Sequence, residues 1–253
     1  MTSIRQSVCF GPLARGFDDP AEGIAAAAEI GFVSVEMLPE EHWPVVRDHG
    51  LDIAIVSGHA SLPDGLNNRG NHDRIESELK ESIDKAVEHG IPSLITFSGN
   101  LEDRGDEEGL DNCVEGLLRV KGHAEEKGVN LCMELLNSRV NHPDYQCDRT
   151  EWGARLCRTV DSPRVKLLYD IYHMQIMEGD LIRTITDNIE WISHFHTAGN
   201  PGRNDPDDTQ EIYYPAVMRA IAATGYDGYV GHEYSPKGDP VESLRTTFAT
   251  CDV

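Results

Sequence analysis

Five times in this chain a run of helix-forming residues closes on a glycine, and a short apolar run follows at once. The pattern reads AAEIG-FVSVEM at 27–37, VRDHG-LDIAIVSG at 46–58 and AVEHG-IPSLITFSG at 86–99. It returns as AEEKG-VNLCMELL at 124–136 and IAATG-YDGYVGHEY at 221–234. A glycine here supplies the positive φ that ends a helix. Its near-constant distance from the next apolar run argues for repeated strand–helix units in one fold. VKLLYDI at 165–171 and ISHFHTA at 192–198 fit the series without the glycine, and IRQSVCF at 4–10 opens it. The expected strands are therefore 4–10, 32–37, 51–57, 93–98, 129–136, 165–171, 192–198 and 227–234.

Helices are expected between them. Asp19-Pro20 and Asp239-Pro240 each set an N-cap acid before a proline at the first helical position. Ile75, Leu79, Ile83 and Val87 form a stripe at four-residue spacing within 71–89, and Leu110, Val114, Leu117 and Leu118 do the same within 105–127. The last helix is expected over 240–249. Eight such units in 253 residues match an α/β chain closed into a single (β/α)8 TIM barrel, one domain over 1–253. The rival is an open doubly wound sheet, which wants a glycine-rich phosphate loop after its first strand. GPLARGF at 11–17 is a poor match to that loop. The longest irregular stretches, 58–70, 137–148 and 199–212, follow the third, fifth and seventh strands, on the face where barrels build active sites.

Acidic residues outnumber Lys plus Arg by 44 to 22, a formal charge of -22. Such a surface repels polyphosphate and anionic membranes, so no nucleic-acid or membrane partner is expected. It suits either a saline habitat or simply an acidic, soluble protein. The six cysteines show no CxxC spacing, and a chain this long needs no disulfides. Neither Cys132 nor Cys147 sits in a Cys-His arrangement suited to covalent catalysis. No leader-like segment and no apolar run of membrane-spanning length is read from the sequence, so a cytoplasmic location is expected.

Four strands finish on a polar residue that needs a reason: Glu134 in CMELL, Asp170 in LLYDI, His196 in HFHTA and Glu233 in GHEY. Residues two apart share a strand face, so Glu134 goes with Cys132, Asp170 with Leu168, His196 with His194 and Glu233 with Gly231. Three carboxylates converging in a barrel mouth repel unless some stay protonated or a cation sits among them. Three oxygens and an imidazole suit Mg²⁺, Mn²⁺ or another borderline divalent ion. His173 and Arg203 lie just beyond the sixth and seventh strands, placed to bind the oxygens of a hydroxycarbonyl compound. Glu211 stands behind them as an orienting carboxylate. Glu36 and His59 end the second and third strands and line the opposite wall.

At these residues the chain resembles the hydroxypyruvate isomerase branch of the xylose-isomerase-like barrels. The matching segments are FSG at 97–99, ELLNSR at 134–139, YDIYHMQIMEGDLI at 169–182, HFHTAGNPGRNDP at 194–206, EIYYPAV at 211–217 and GYDGYVGHEYSP at 225–236. The resemblance implies that Glu134, Asp170, His196 and Glu233 hold one divalent ion, Mg²⁺ or Mn²⁺. It implies that Glu134 and Glu233 are also the proton-transfer pair, and that His173 and Arg203 bind an α-hydroxycarbonyl substrate; His59, on the opposite wall, is expected to join them there. The reaction it implies is the interconversion of hydroxypyruvate and tartronate semialdehyde through an enediolate, by a homodimer or homotetramer. Hydroxypyruvate isomerases often carry Gln at the position of His196, and ketose epimerases carry His. A ketose 3-epimerase, or an isomerase of a larger 2-oxo sugar or sugar acid, therefore stands as the alternative. A non-catalytic metal- or sugar-binding barrel is the alternative of another class.

Overall fold

A computed structural model describes residues 3–253. Every expected strand is present among them, shortened at its ends and divided over nine segments. These are β1 (Arg5–Cys9), β2 (Ser34–Glu36), β3 (Asp52–Ile53), β4 (Ile55–Ser57), β5 (Ser93–Thr96), β6 (Asn130–Leu135), β7 (Val165–Asp170), β8 (Ile192–Thr197) and β9 (Tyr229–His232). The expected strand at 51–57 is interrupted at Ala54: β3 pairs with β2, and β4 pairs with β5. Phe10 leaves the first strand and opens the helix Phe10–Gly16.

Contacts along the chain gather into two compact units. One holds residues up to Ala54 together with Asp180–Ile189 and His194–Val253; the other holds Ile55–Gly179 and Glu190–Ser193. In the first, the strands run in the order β3-β2-β1-β9-β8, every pair parallel. In the second, β4, β5, β6 and β7 are likewise parallel neighbours. Parallel strands joined by helices are buried on both faces and read as continuous apolar runs. Accordingly Leu94, Ile95, Leu131, Cys132, Met133, Leu167 and Leu168 have no exposed surface. The helix Thr150–Val160 packs on this sheet through Gly153, where a Cβ would stand 2.8 Å from Leu167 Cδ2.

The punctuation of the sequence works as its chemistry predicts. Gly31, Gly50, Gly90, Gly128 and Gly225 all take positive φ. Asp19 accepts a hydrogen bond from the Ala21 amide at the head of Pro20–Ile30, and Asp239 accepts one from Glu242 at the head of Pro240–Cys251, each at 2.9 Å. Two helical expectations change. The segment 105–127 is two helices, Asp106–Leu118 and Lys121–Lys127, and Leu118 is 49% exposed. In His72–His89 the residues Ile75, Leu79 and Ile83 are buried, but Val87 is 46% exposed. A strict four-residue step overshoots a 3.6-residue turn by about 40° each time, so the third step carries Val87 off the buried face.

Candidate metal and substrate site

Parallel register decides which side chains meet. In β6 and β7, Glu134 lies opposite Leu168, and Asp170 is two residues further on along the same face. In β8 and β9, His196 lies opposite Gly231, and Glu233 stands two residues further on. Each unit therefore presents a pair of candidate ligands with the same one-strand, two-residue stagger, at the C-terminal ends of its strands. Glu233 falls just past β9, yet its amide still donates to the Thr197 carbonyl at 2.9 Å, which continues the ladder spacing.

In the unit that carries β6 and β7, Glu134 and Asp170 are 4% and 1% exposed. Asp170 caps the helix Ile171–Met177, accepting from the His173 amide at 2.9 Å through Oδ1. His173 is fully buried, and its Nδ1 accepts from the Asn137 amide at 3.2 Å. The proton of a neutral His173 ring therefore sits on Nε2, 3.7 Å from Asp170 Oδ2. Tyr145 donates to the Glu134 carbonyl at 3.0 Å and accepts from the Ser98 amide at 3.1 Å, tying the FSG segment to the end of β6.

In the other unit, His196 Nδ1 lies 3.4 Å from Glu233 Oε2, and Arg203 Nη2 lies 2.5 Å from the same oxygen. Burial alone would raise the Glu233 carboxyl. His196 and Arg203 outweigh it and hold the group below the ordinary glutamate range. Arg203 is presented by a braced loop. Its amide donates to Gly199 and its carbonyl accepts from Ser235, at 2.9 and 2.8 Å. Asp205, two residues on, takes the Lys237 amide at 2.9 Å and the Ser243 hydroxyl. Glu211 is exposed and accepts from the Asn200 amide group, at the start of that loop.

Deeper in the same unit lies a second cluster that the strand-end reading did not assemble. Glu36, Cys9 and His196 bring ligand-type atoms within 4.8 Å of one another. Glu36 Oε1 takes His196 Nε2 at 2.8 Å, His194 Nε2 at 3.1 Å and the Cys9 thiol at 3.2 Å. Burial pushes against ionisation of Glu36. The two imidazoles more than offset it, and the carboxyl is held well below its usual range. Three donors converging on one oxygen describe an anion served by hydrogen bonds, not a ligand set waiting for an ion.

The outer pairs, by contrast, fit a cation. The His196 ring gives Nε2 to Glu36 at 2.8 Å and turns Nδ1 toward the Glu233 carboxylate at 3.4 Å. A divalent ion joins such groups, and an imidazole with carboxylates is a donor set for Mg²⁺, Mn²⁺ and their neighbours.

His59, expected at the substrate, has both ring nitrogens engaged by the backbone. Nε2 accepts from the Phe97 amide at 3.0 Å, and Nδ1 bonds the Ala60 carbonyl at 3.1 Å. It fastens the loop after β4 to the end of β5. None of the six cysteines forms a disulfide, all are buried, and burial pushes the Cys147 thiol well up, away from thiolate chemistry. No helix among the described residues is long and apolar enough to cross a membrane.

Parallel strands with connecting helices, and acids with a histidine at the strand ends, define an α/β-barrel protein with a candidate divalent-metal site. The chain belongs to the xylose isomerase-like TIM barrels, whose family model matches residues 24–250. It is 35% identical over 241 residues to a Drosophila melanogaster protein provisionally assigned as a hydroxypyruvate isomerase, covering 88% of this chain and 89% of that one. It is 29% identical over 235 residues to the 2-oxo-tetronate isomerase of Cupriavidus necator, covering 84% and 86%. Among solved structures it is similar to an AP endonuclease of family 2 from Brucella melitensis. That match has a TM-score of 0.87 and 25% identity, over 99% of this chain and 100% of the other. The fold is thus a single xylose-isomerase-like barrel. The activity to which family and candidate site together point is isomerisation of a sugar or sugar acid.

Proposed function

We propose that the chain, working as one barrel domain over 1–253, moves a carbonyl between C2 and C3 of a small 2-oxo-3-hydroxy acid. Hydroxypyruvate is the three-carbon member of that class, and a 2-oxo-tetronate is the four-carbon member. The observation that carries the reading is the pair of staggered ligand couples, Glu134 with Asp170 and His196 with Glu233, each beside a substrate-sized hydrogen-bond donor, His173 or Arg203.

In this reading the four residues hold one divalent ion, Mg²⁺ or Mn²⁺. When bound, the ion polarises the substrate carbonyl and stabilises negative charge on the neighbouring oxygens. Arg203 pairs with the substrate carboxylate, a role for which its fork of donors is suited. His173, its proton fixed on Nε2 by the Asn137 amide, donates to a substrate oxygen. One of Glu134 and Glu233 takes the proton from C3, which leaves an enediolate. The same proton equivalent is returned at C2, and the O3 proton passes to O2, so the product is the isomeric 2-hydroxy-3-oxo acid.

Return of the proton to the carbon it left, from the opposite face, would instead epimerise a ketose. Histidine at position 196, the residue expected of ketose epimerases, favours that second reading.

The test is proton exchange in D₂O followed by NMR, with Mn²⁺ or Mg²⁺ present, using hydroxypyruvate, a 2-oxo-tetronate and D-fructose in separate samples. Carbon-bound deuterium with the 2-hydroxy-3-oxo product is expected for the two acids. It should fall about 10²–10⁴-fold in Glu134→Gln and in Glu233→Gln. Exchange confined to fructose, with a C3 epimer formed, would move the assignment to the epimerases. Silence from all three would overturn both readings.

A further inference from the structure

Glu36 sits on β2, and the imidazole it holds sits on β8, with β1 and β9 in between. A carboxylate reaches that far only over small residues. On β9 the residue opposite His196 is Gly231, where a Cβ would stand 2.6 Å from Glu36 Cδ. On β1 the residue opposite Glu36 is Cys9, whose thiol donates to the same oxygen instead of blocking it. Glu36 and His196 have no exposed surface, so water does not compete for this contact. The imidazole is thereby held by its far nitrogen, 2.8 Å from Glu36 Oε1, while its near nitrogen looks at Glu233 from 3.4 Å.

We propose that Glu36 is the positioning residue for the His196 ligand, keeping the ring proton on Nε2 so that the Nδ1 lone pair is the one offered to the divalent ion. The inference rests on the metal-site reading above and adds the group that sets the tautomer, the ring orientation and the donor strength of one ligand. Carboxylates that hold the far nitrogen of a metal-binding histidine act in all three ways, and their loss weakens metal binding about 10–100-fold. His194, on the same face and bonded to the same oxygen at 3.1 Å, shares the carboxylate and keeps it turned between the two rings.

Two measurements test it. Long-range ¹H–¹⁵N NMR of the Mg²⁺-loaded wild-type protein should show His196 with its proton on Nε2 and a bare Nδ1; the opposite tautomer would overturn the proposal. Chelator competition with Mn²⁺ should show Glu36→Gln binding one ion about 10–100-fold more weakly than wild type, with an unchanged circular-dichroism spectrum. Equal affinity within about twofold, beside a wild type that binds one ion, would refute the role of Glu36 and leave the metal site standing. A wild type that takes up no divalent ion would remove both. Should Glu36→Gln fail to fold, the wild-type tautomer decides alone.

Discussion

The ring of His59 has no polar atom to spare, and that fixes its response to acid. Burial is the main influence on it, and it holds the imidazole below its ordinary titration range. A histidine whose folded pKa is depressed contributes stability that is present above the unfolded value of about 6.5 and is lost as the pH falls through that value toward the folded one. Unfolding midpoints measured from pH 7.5 down to pH 5 should therefore fall less steeply in His59→Gln than in wild type; parallel slopes would remove the residue from the acid response. At this scale the polar ends of the strands were legible, because an acid or histidine at the end of an apolar strand stands out against its neighbours. The engagement of His59 was not, since a backbone amide as partner leaves no mark in the sequence. Nor was the meeting of Glu36 with His194 and His196, which depends on two small residues from strands far apart in the chain.

Among the elements, β9 is the most exacting. Gly231 faces the Glu36 carboxylate, and its missing side chain is the space that carboxylate occupies. Gly231→Ala should destabilise the fold by about 1–3 kcal/mol, as overpacking of a full interior does. A chemical denaturation curve checks it, and an unchanged midpoint would mean that Glu36 can withdraw freely. The strands themselves were readable because parallel strands are largely apolar and five of the eight expected ones follow a helix-ending glycine. The break at Ala54 was hidden: Ile53, Ile55 and Val56 beside it are all apolar, and the change of partner from β2 to β5 is a matter of pairing, not of local preference. The division of 105–127 into two helices was hidden likewise, since Leu117 and Val120 are buried on either side of the junction and keep the apolar pattern running.

For the whole molecule the formal charge of -22 dominates solution behaviour. Like charges on a folded surface repel, and salt screens them, the Debye length falling from about 10 Å at 0.1 M to about 3 Å at 1 M. The thermal midpoint should rise as NaCl is raised across that range, measured in metal-free buffer so that ion uptake does not contribute. A midpoint that falls would show the surface ion pairs, such as Arg155 with Glu107 and Arg119 with Asp73, to outweigh the repulsion.

The unit that carries His196 and Glu233 is drawn from three stretches of chain, whereas its companion is nearly continuous. A ribosome therefore finishes β4 to β7 while β1, already made, still lacks its β9 neighbour, which is the last strand to emerge. Until then β1 is an unsaturated edge, and pairings this distant in sequence form slowly. The half of the molecule that holds the buried carboxylate is the half that must wait longest, unprotected, to become a sheet.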